Sequence, residues 1–302
     1  GSGYVGSVLV PLLAQKYTVR VLETMVFGNP ISGMKEVEFI KGDVRDEAAL
    51  AAALEGCEAV VHLAGIVTDA LVDMNPVYAY SVNVEAVRSL CRAAVNAGVT
   101  RLVYASSSSV YGSTPFDVAE DAEPKPETAY AQTKLDGEKE TLTWQGEMCV
   151  TALRSATCCG PAPRMRLDTI VNVFCKQAYW DKVIGVHDGT QWRSNVHVRD
   201  AAEAYLRLLS VPAEAINGEV WNLTAENADA LSIARRVASI ILAEIKVDKS
   251  VRDTRQYRMS AMKLKERLGF TPKLSVADAI RDNLAFFTSG GILDANDPLY
   301  FN

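Results

Sequence analysis

Ser107, Tyr130 and Lys134 are the residues whose types and spacing suit chemistry. Tyr130 and Lys134 stand at i and i+4, so a helix puts both on one face. An ammonium beside a phenol favours the phenolate, which lets the Tyr donate or accept a proton near neutral pH. Ser107, 23 residues upstream of Tyr130, offers a hydroxyl to hold the oxygen that gains or loses that proton. Such a set oxidises an alcohol or reduces a ketone once a hydride carrier is bound. A Tyr-x-x-x-Lys string also occurs by chance on ordinary surface helices, so the carrier needs its own signal.

The chain opens on Gly1-Ser2-Gly3-Tyr4-Val5-Gly6 and continues into an apolar helical stretch from Val8 to Leu13. Glycines so spaced permit a tight turn, close approach of backbone to a pyrophosphate and close helix packing. The phosphates then sit at the helix N-terminus, where free N–H groups point at them. A strand-like run from Tyr17 to Leu22 ends at Glu23, 20 residues after Gly3, where an acid accepts from a ribose 2′-hydroxyl. Glu23 also repels a 2′-phosphate, and no Arg or Lys follows it until Lys35. The cofactor expected is NAD rather than NADP, held by Gly3, Tyr4, Val5, Gly6 and Glu23. The plainer reading is a Gly-rich turn and an ordinary acid at a strand end. A phosphate-binding turn is normally preceded by a strand, and this chain begins inside the turn. A buried central strand upstream of Gly1 is therefore expected.

The elements that position these residues alternate. Strands are expected at Tyr17–Leu22, Val37–Ile40, Ala59–Leu63, Arg101–Ala105 and Cys149–Leu153, all short apolar runs without strict alternation, as when both faces are buried. Helices are expected between them at Asp46–Leu54, Val77–Ala97 and Tyr130–Leu142. The fold class is α/β, a doubly wound parallel sheet. The segment Gly112–Glu127, with Pro115, Pro124 and Pro126, reads as an irregular loop leading to the Tyr130 helix. Beyond Gly160-Pro161 come helices at Leu167–Asp181, Asp200–Leu209, Leu231–Glu244, Ser260–Leu268 and Val276–Phe287, and a strand near Val183–Val186. Residues 1–160 are thus expected to form a cofactor-binding domain. Residues 161–302 form a smaller, mixed, helix-rich substrate part, from which about 194–210 packs back on the first.

Composition excludes several classes. The 302 residues are 49% hydrophobic and 23% charged, which is neither disordered nor fibrous. A net charge of −6 gives no pull toward nucleic acid or membrane. No apolar run reaches the roughly 20 residues of a membrane span, and no signal peptide is visible, so a cytoplasmic location is expected. The six cysteines, two of them adjacent at Cys158-Cys159, lack metal-ligand spacing and read as reduced thiols. With three scattered histidines, His62, His187 and His197, no metal site is expected.

These motifs, in this order, resemble the extended short-chain dehydrogenase/reductases, specifically the NAD-dependent sugar-nucleotide epimerase/dehydratase group. Gly3 and Gly6 match the last two glycines of that family's Rossmann-type turn. Gly42-Asp43-Val44 resembles its adenine-contacting segment, Val60-Val61-His62-Leu63-Ala64-Gly65 its strand-4 motif under the cofactor, and Asn83-Val84 the following helix. Ala105–Gly112 is similar to the strand-5 motif, which makes Ser107 the catalytic hydroxyl, with Ser108 against the substrate. Tyr130 and Lys134 match the catalytic pair. Leu153-Arg154 and Cys159-Gly160-Pro161 fit a further motif, with Cys159 in place of Tyr and Thr157 in place of a frequent Asn. Arg193-Ser-Asn-Val-His197-Val198-Arg-Asp200 resembles a segment whose Arg contacts the substrate diphosphate. The resemblance implies an NDP-sugar substrate, Asp43, Val44, Leu63, Ala64 and Gly65 as cofactor contacts, and Thr157, Arg193 and Arg255 as substrate contacts. It also implies a homodimer through the Val77–Ala97 and Tyr130–Leu142 helices.

Departures narrow the reaction. The 4,6-dehydratases follow the catalytic hydroxyl with Asp-Glu, where this chain has Ser108 and Ser109. Decarboxylases carry Glu and 3,5-epimerases Cys at position 109. Val67 replaces a Lys of some galactose epimerases, and Pro163–Asp168 and Asp253–Tyr257 resemble a subgroup acting on GDP-heptose or other modified sugars. What remains is a C4 epimerase, or a C4 dehydrogenase or ketoreductase without epimerisation. A ketoreductase for a non-nucleotide substrate and a non-catalytic NAD-sensing protein are the rivals. The first leaves the second-half arginines unused, and the second leaves Tyr130 and Lys134 without a purpose. Plainer readings stand beside several assignments: Ser106 as a strand-end polar residue, Asp43 as a helix cap, His62 and His197 as core histidines, and Arg164, Arg166, Arg193 and Arg255 on solvated faces. Asp200 is expected to begin a helix.

Overall fold

A computed structural model describes residues 1–250 and 256–302. The parallel strands of its central sheet fall into two hydrogen-bonded groups. Val19–Glu23 pairs with Val37–Lys41. The second group runs Glu219–Leu223, Cys149–Ser155, Arg101–Ser107, Ala59–His62 in spatial order, all parallel. No ladder joins Val19–Glu23 to Ala59–His62 among the described residues. The strands read as apolar runs because both faces are covered: Leu102, Val103, Val150, Ala152 and Leu153 are all fully buried.

Helices cover the faces. Gly6–Ala14 and Val198–Ser210 lie on one side, where Leu9, Ala201, Tyr205 and Leu208 share a cluster with Val103 and Leu153. Glu47–Leu54 and Ala86–Asn96 lie on the other, sharing a cluster with Leu102, Tyr104 and Val150. Asp46 caps Glu47–Leu54 by accepting from the Ala48 and Ala49 N–H groups, which leaves Asp43 free of that task. The second half builds its own core from Leu167, Phe174, Ile184, Ile233, Val237, Ile280 and Phe287. It also returns two elements to the first: the helix Val198–Ser210 and the edge strand Glu219–Leu223.

Several expected helices differ from the sequence reading, three of them most clearly. The Val77–Ala97 span is Pro76–Tyr80, a π turn at Ser81–Glu85, and Ala86–Asn96. Asn83 sits in that turn and is drawn inward to satisfy other backbone groups. The Leu167–Asp181 helix starts only at Ile170, because the backbone is extended at Thr169 (ψ 147°), and it closes in a π turn at Gln177–Asp181. The Leu231–Glu244 helix stops at Ile241, where Leu242 turns left-handed at φ 56°. Glu244–Asp248 is instead a strand beside Val183–His187. Asp200 does not begin its helix: the helix starts at Val198, and the Asp200 carboxylate accepts from the Lys273 and Leu274 N–H groups. Short elements that carry little periodicity, Asp69–Met74, Trp192–His197 and Glu219–Leu223 among them, were not expected. No described helix is long and apolar enough to cross a membrane.

Candidate active site

One cleft of about 1410 Å³ runs along the ends of the parallel strands. It is lined by Gly3, Tyr4, Val5 and Gly6 of the opening turn and by Glu23, Asp43, Val44, Leu63, Ala64 and Gly65 from successive strand ends. Ser107, Ser108, Tyr130, Lys134, Thr157 and Arg193 line it too. Every site residue expected from the sequence therefore faces one space except Arg255, which lies outside the described residues.

The reactive trio is placed by two elements. Ser107 ends the strand Arg101–Ser107, level with Ser155 on its neighbour. Its Oγ accepts from both the N–H (3.2 Å) and the hydroxyl (2.8 Å) of Ser109, which leaves its own proton to point elsewhere. Tyr130 and Lys134 sit in the first turns of the helix Ala129–Leu142, which Thr128 caps by accepting from the Ala131 N–H. Burial lifts the Tyr130 phenol to about 12, while a hydrogen bond with Ser107, and next the charge of Arg166, pull it down. The Lys134 ammonium lies 4.4 Å from the centre of the Tyr104 ring. Burial lowers Lys134 to about 8, against the raising influence of Glu138. Burial is thus the largest influence on the phenol, and Ser107 and then Arg166 are the first to oppose it. The i, i+4 spacing gives Lys134 the right face: it lines the cleft, and its ammonium also rests on the Tyr104 ring.

The supports of this pair come from residues to which the sequence reading gave no role, although Asn83 and Arg154 stand in motifs of the resemblance. Asn83 Oδ1 accepts from the Ile66 N–H (2.8 Å), and its amide donates to the Ile66 carbonyl (2.9 Å) and to Thr133 Oγ1 (3.0 Å). It thereby ties the Gly65 loop to the Tyr130 helix, and the π turn is the local deformation that lets it reach. Deeper in, Glu138 and Arg154 form a buried ion pair at 2.6 Å. Ser106 donates to the same carboxylate, and Arg154 donates to the Tyr111 hydroxyl (2.8 Å). Ser106 is thus part of a buried network and not merely a polar strand end.

The opening turn is anchored from afar. The Tyr4 hydroxyl donates to the Gly160 carbonyl (2.5 Å) and accepts from the Asn172 amide (3.0 Å). Tyr4 therefore lines the cleft while its hydroxyl is spent on structure. Asp43 holds Arg45 through two bonds of 3.0 and 2.6 Å, and Arg45 rests on the Tyr78 ring. Arg45 is the foremost cause that keeps the Asp43 carboxyl below its usual range.

Of the second-half residues, Arg193 is 7% exposed and buried in the cleft, so the solvated-face reading does not hold for it. Its guanidinium stands 5.2 Å from the Tyr257 ring. Arg166 lines the cleft as well, held by Asp168 through two bonds of 2.9 Å. Only its place in an Arg-x-Arg-x-Asp string marked it in the sequence. His62 and His197 are core histidines: both are buried, and His197 Nδ1 accepts from the Arg199 N–H. All six cysteines are free thiols, four of them buried. No cluster of metal-ligating side chains occurs among the described residues.

A family model for the NAD dependent epimerase/dehydratase family matches residues 1–224. The chain belongs to the NAD dependent epimerase/dehydratase family. It is thus an enzyme with a Rossmann-type α/β fold whose cofactor is NAD. Similar proteins include the uncharacterized UDP-glucose epimerase YtcB of Bacillus subtilis, 27% identical over 95% of this chain and 96% of that protein. The structure of MoeE5 in complex with UDP-glucuronic acid and NAD is 26% identical, with a TM-score of 0.86, over 95% of this chain and 97% of that one. A dTDP-glucose 4,6-dehydratase from Streptomyces venezuelae, with NAD and TYD bound, has a TM-score of 0.85 over 99% of this chain and 97% of that one. At 23% identity it speaks for the fold alone.

The residues present fit the family's cofactor. A side chain at Gly3 meets nothing within 4 Å, so the backbone there is open to a ligand, whereas one at Gly6 collides with the Gly1 carbonyl at 1.8 Å. The helix Gly6–Ala14 begins without a side-chain cap; its Ser7, Val8 and Leu9 N–H groups donate to the Gly3 and Val5 carbonyls, so the N–H groups of the turn and of Gly6 are the ones that face phosphate oxygens. Glu23 stands at the adjacent strand end, where the sequence reading places the ribose.

Proposed function

We propose that this enzyme interconverts the C4 epimers of a nucleoside-diphosphate hexose by transient oxidation at C4. Bound NAD supplies the acceptor and donor of the hydride. Tyr130 takes the proton of the C4 hydroxyl and returns it after the keto-sugar has turned over. Ser107 steadies the oxygen with the proton that Ser109 leaves free, and Lys134 holds the nicotinamide ribose. Gly3, Tyr4, Val5, Gly6, Glu23, Asp43, Val44, Leu63, Ala64 and Gly65 bind the dinucleotide. Ser108, Thr157, Arg193 and Arg255 contact the sugar nucleotide, Arg193 at its diphosphate.

The observation that carries this reading is that Ser107, Tyr130 and Lys134 line the same cleft as the glycine turn, with Ser107 near enough to pull the phenol's pKa down. The choice of epimerisation over dehydration rests on Ser108 and Ser109. Neither has an acid's proton to move at C5 or C6, and Ser109 is committed to Ser107. We propose further a division into a cofactor part, 1–160, and a substrate part, 161–302, with 194–210 returning to the first. A cytoplasmic homodimer built on the Pro76–Asn96 region and the Tyr130 helix belongs to the same proposal. Exposed Met74 and Val77 support that face as the contact.

The names of similar proteins make UDP-glucose the first substrate to test. NMR of the sugar, run alongside absorbance of NADH, is expected to show a C4 epimer with no net NADH, and no turnover in Tyr130→Phe. Loss of the C6 hydroxyl refutes the argument from Ser108 and Ser109. Steady NADH production makes the enzyme a C4 dehydrogenase.

A further inference from the structure

Arg164 is a buried cation with no carboxylate in hydrogen-bonding reach among the described residues; Asp168 and Glu23 act on it only from farther off. It is 5% exposed and lines the cleft. Its backbone N–H donates to Ser7 Oγ (3.2 Å) in the first turn of the helix Gly6–Ala14, which fastens it beside the glycine turn. Its guanidinium stands 4.1 Å from the centre of the Phe27 ring, on the loop that follows Glu23. Among the described residues its N–H groups reach only the Asn302 side-chain oxygen and, at 3.4 Å, the Met165 carbonyl. Its Nε is buried with no partner. The nearby carboxylate of Asp168 is already taken by Arg166.

A desolvated guanidinium with unfilled donors is unfavourable unless an anion completes it. Burial, then Arg166, lower its pKa to about 10, so it is still a cation at neutral pH. Beside it, the turn that leads into the nine-residue helix Gly6–Ala14 offers N–H donors ahead of Ser7, whose own N–H goes to the Gly3 carbonyl, and the Gly3 backbone is open. Arg164, the glycine turn and Phe27 line the same cleft. A diphosphate suits these donors, because its oxygens match both the guanidinium fork and the amides of the turn.

We infer that Arg164, reaching in from the second half of the chain, binds the diphosphate of the cofactor at the glycine turn. The inference rests on that turn holding the dinucleotide. A diphosphate is also present in the substrate; the position beside Ser7 and Phe27 favours the cofactor's, and Arg193 is the residue assigned to the other.

The test is calorimetric titration of the full chain with NAD, ADP, adenosine and UDP, for the parent protein, Arg164→Gln, Arg164→Lys and Arg193→Gln. Arg164→Gln is expected to weaken NAD and ADP roughly ten- to hundredfold, with adenosine changed less than about threefold and UDP unchanged. Arg164→Lys keeps the charge without the fork and is expected to fall between. Arg193→Gln is expected to weaken UDP and spare ADP. Unchanged ADP affinity in Arg164→Gln overturns the inference. So does an equal loss for adenosine and ADP, which marks a general disturbance of the cleft, or a loss confined to UDP, which assigns Arg164 to the substrate. A parent protein that binds ADP no better than adenosine overturns the reading of the glycine turn itself, and the inference with it.

Discussion

At the scale of single residues, the chemistry turns on a phenol that burial works against. Removing Tyr130 from water raises its pKa to about 12, and Ser107 is the first group to oppose that rise. A base must be ionised to take a proton, so activity limited by this step climbs with pH toward the phenol's pKa. Ser107→Ala removes the opposing hydrogen bond, and the rising limb of kcat/KM is expected to move to higher pH. At fixed neutral pH the loss is expected to be on the order of a hundredfold. A limb that stays in place in the pH profile assigns the tuning to Arg166 and leaves Ser107 a smaller part.

At the scale of elements, the site depends on how closely the Tyr130 helix packs on its neighbours. Gly137 makes that packing possible: a side chain there meets the Tyr104 hydroxyl at 2.3 Å and the Asn83 carbonyl at 2.4 Å. Alanine raises helix propensity by about 1 kcal/mol relative to glycine, but overpacking costs about 1–3 kcal/mol, and here the obstacles are backbone and a buried ring. Gly137→Ala is expected to destabilise the protein in urea unfolding and to lower kcat, since Asn83 also ties Thr133 of that helix to the Gly65 loop. A higher midpoint for Gly137→Ala shows that the helix can shift without loss.

At the scale of the whole molecule, the core carries a charge-averse histidine beneath the site. Burial, with Lys134 next in effect, lowers the His62 pKa from 6.5 to about 3. Its Nε2 has no partner. The unfolded chain therefore binds a proton between these values that the folded chain refuses, so stability falls as pH drops through that window. By about pH 4.5 the contribution reaches about 2–3 kcal/mol. His62→Gln is expected to show a smaller loss of unfolding free energy than the parent between pH 7 and pH 4.5. Parallel losses in the two proteins place the acid sensitivity in the carboxylates instead.

The sequence by itself determined the features that depend on neighbours along the chain. The turn Gly1–Gly6, the acid at Glu23 and the helix face shared by Tyr130 and Lys134 are local, because glycine spacing and helical periodicity act over a few residues. The apolar runs marked the parallel strands for the same reason. Only the tertiary structure decided what meets across large separations. It laid the edge strand Glu219–Leu223 beside Cys149–Ser155, bent the backbone at Ser81–Glu85 so that Asn83 reaches Ile66 and Thr133, and turned Lys134 onto Tyr104. It also buried Arg193 and Arg164, which composition alone leaves on solvated faces. An arginine's burial depends on the walls that other segments raise around it, and its own neighbours in sequence carry no record of them.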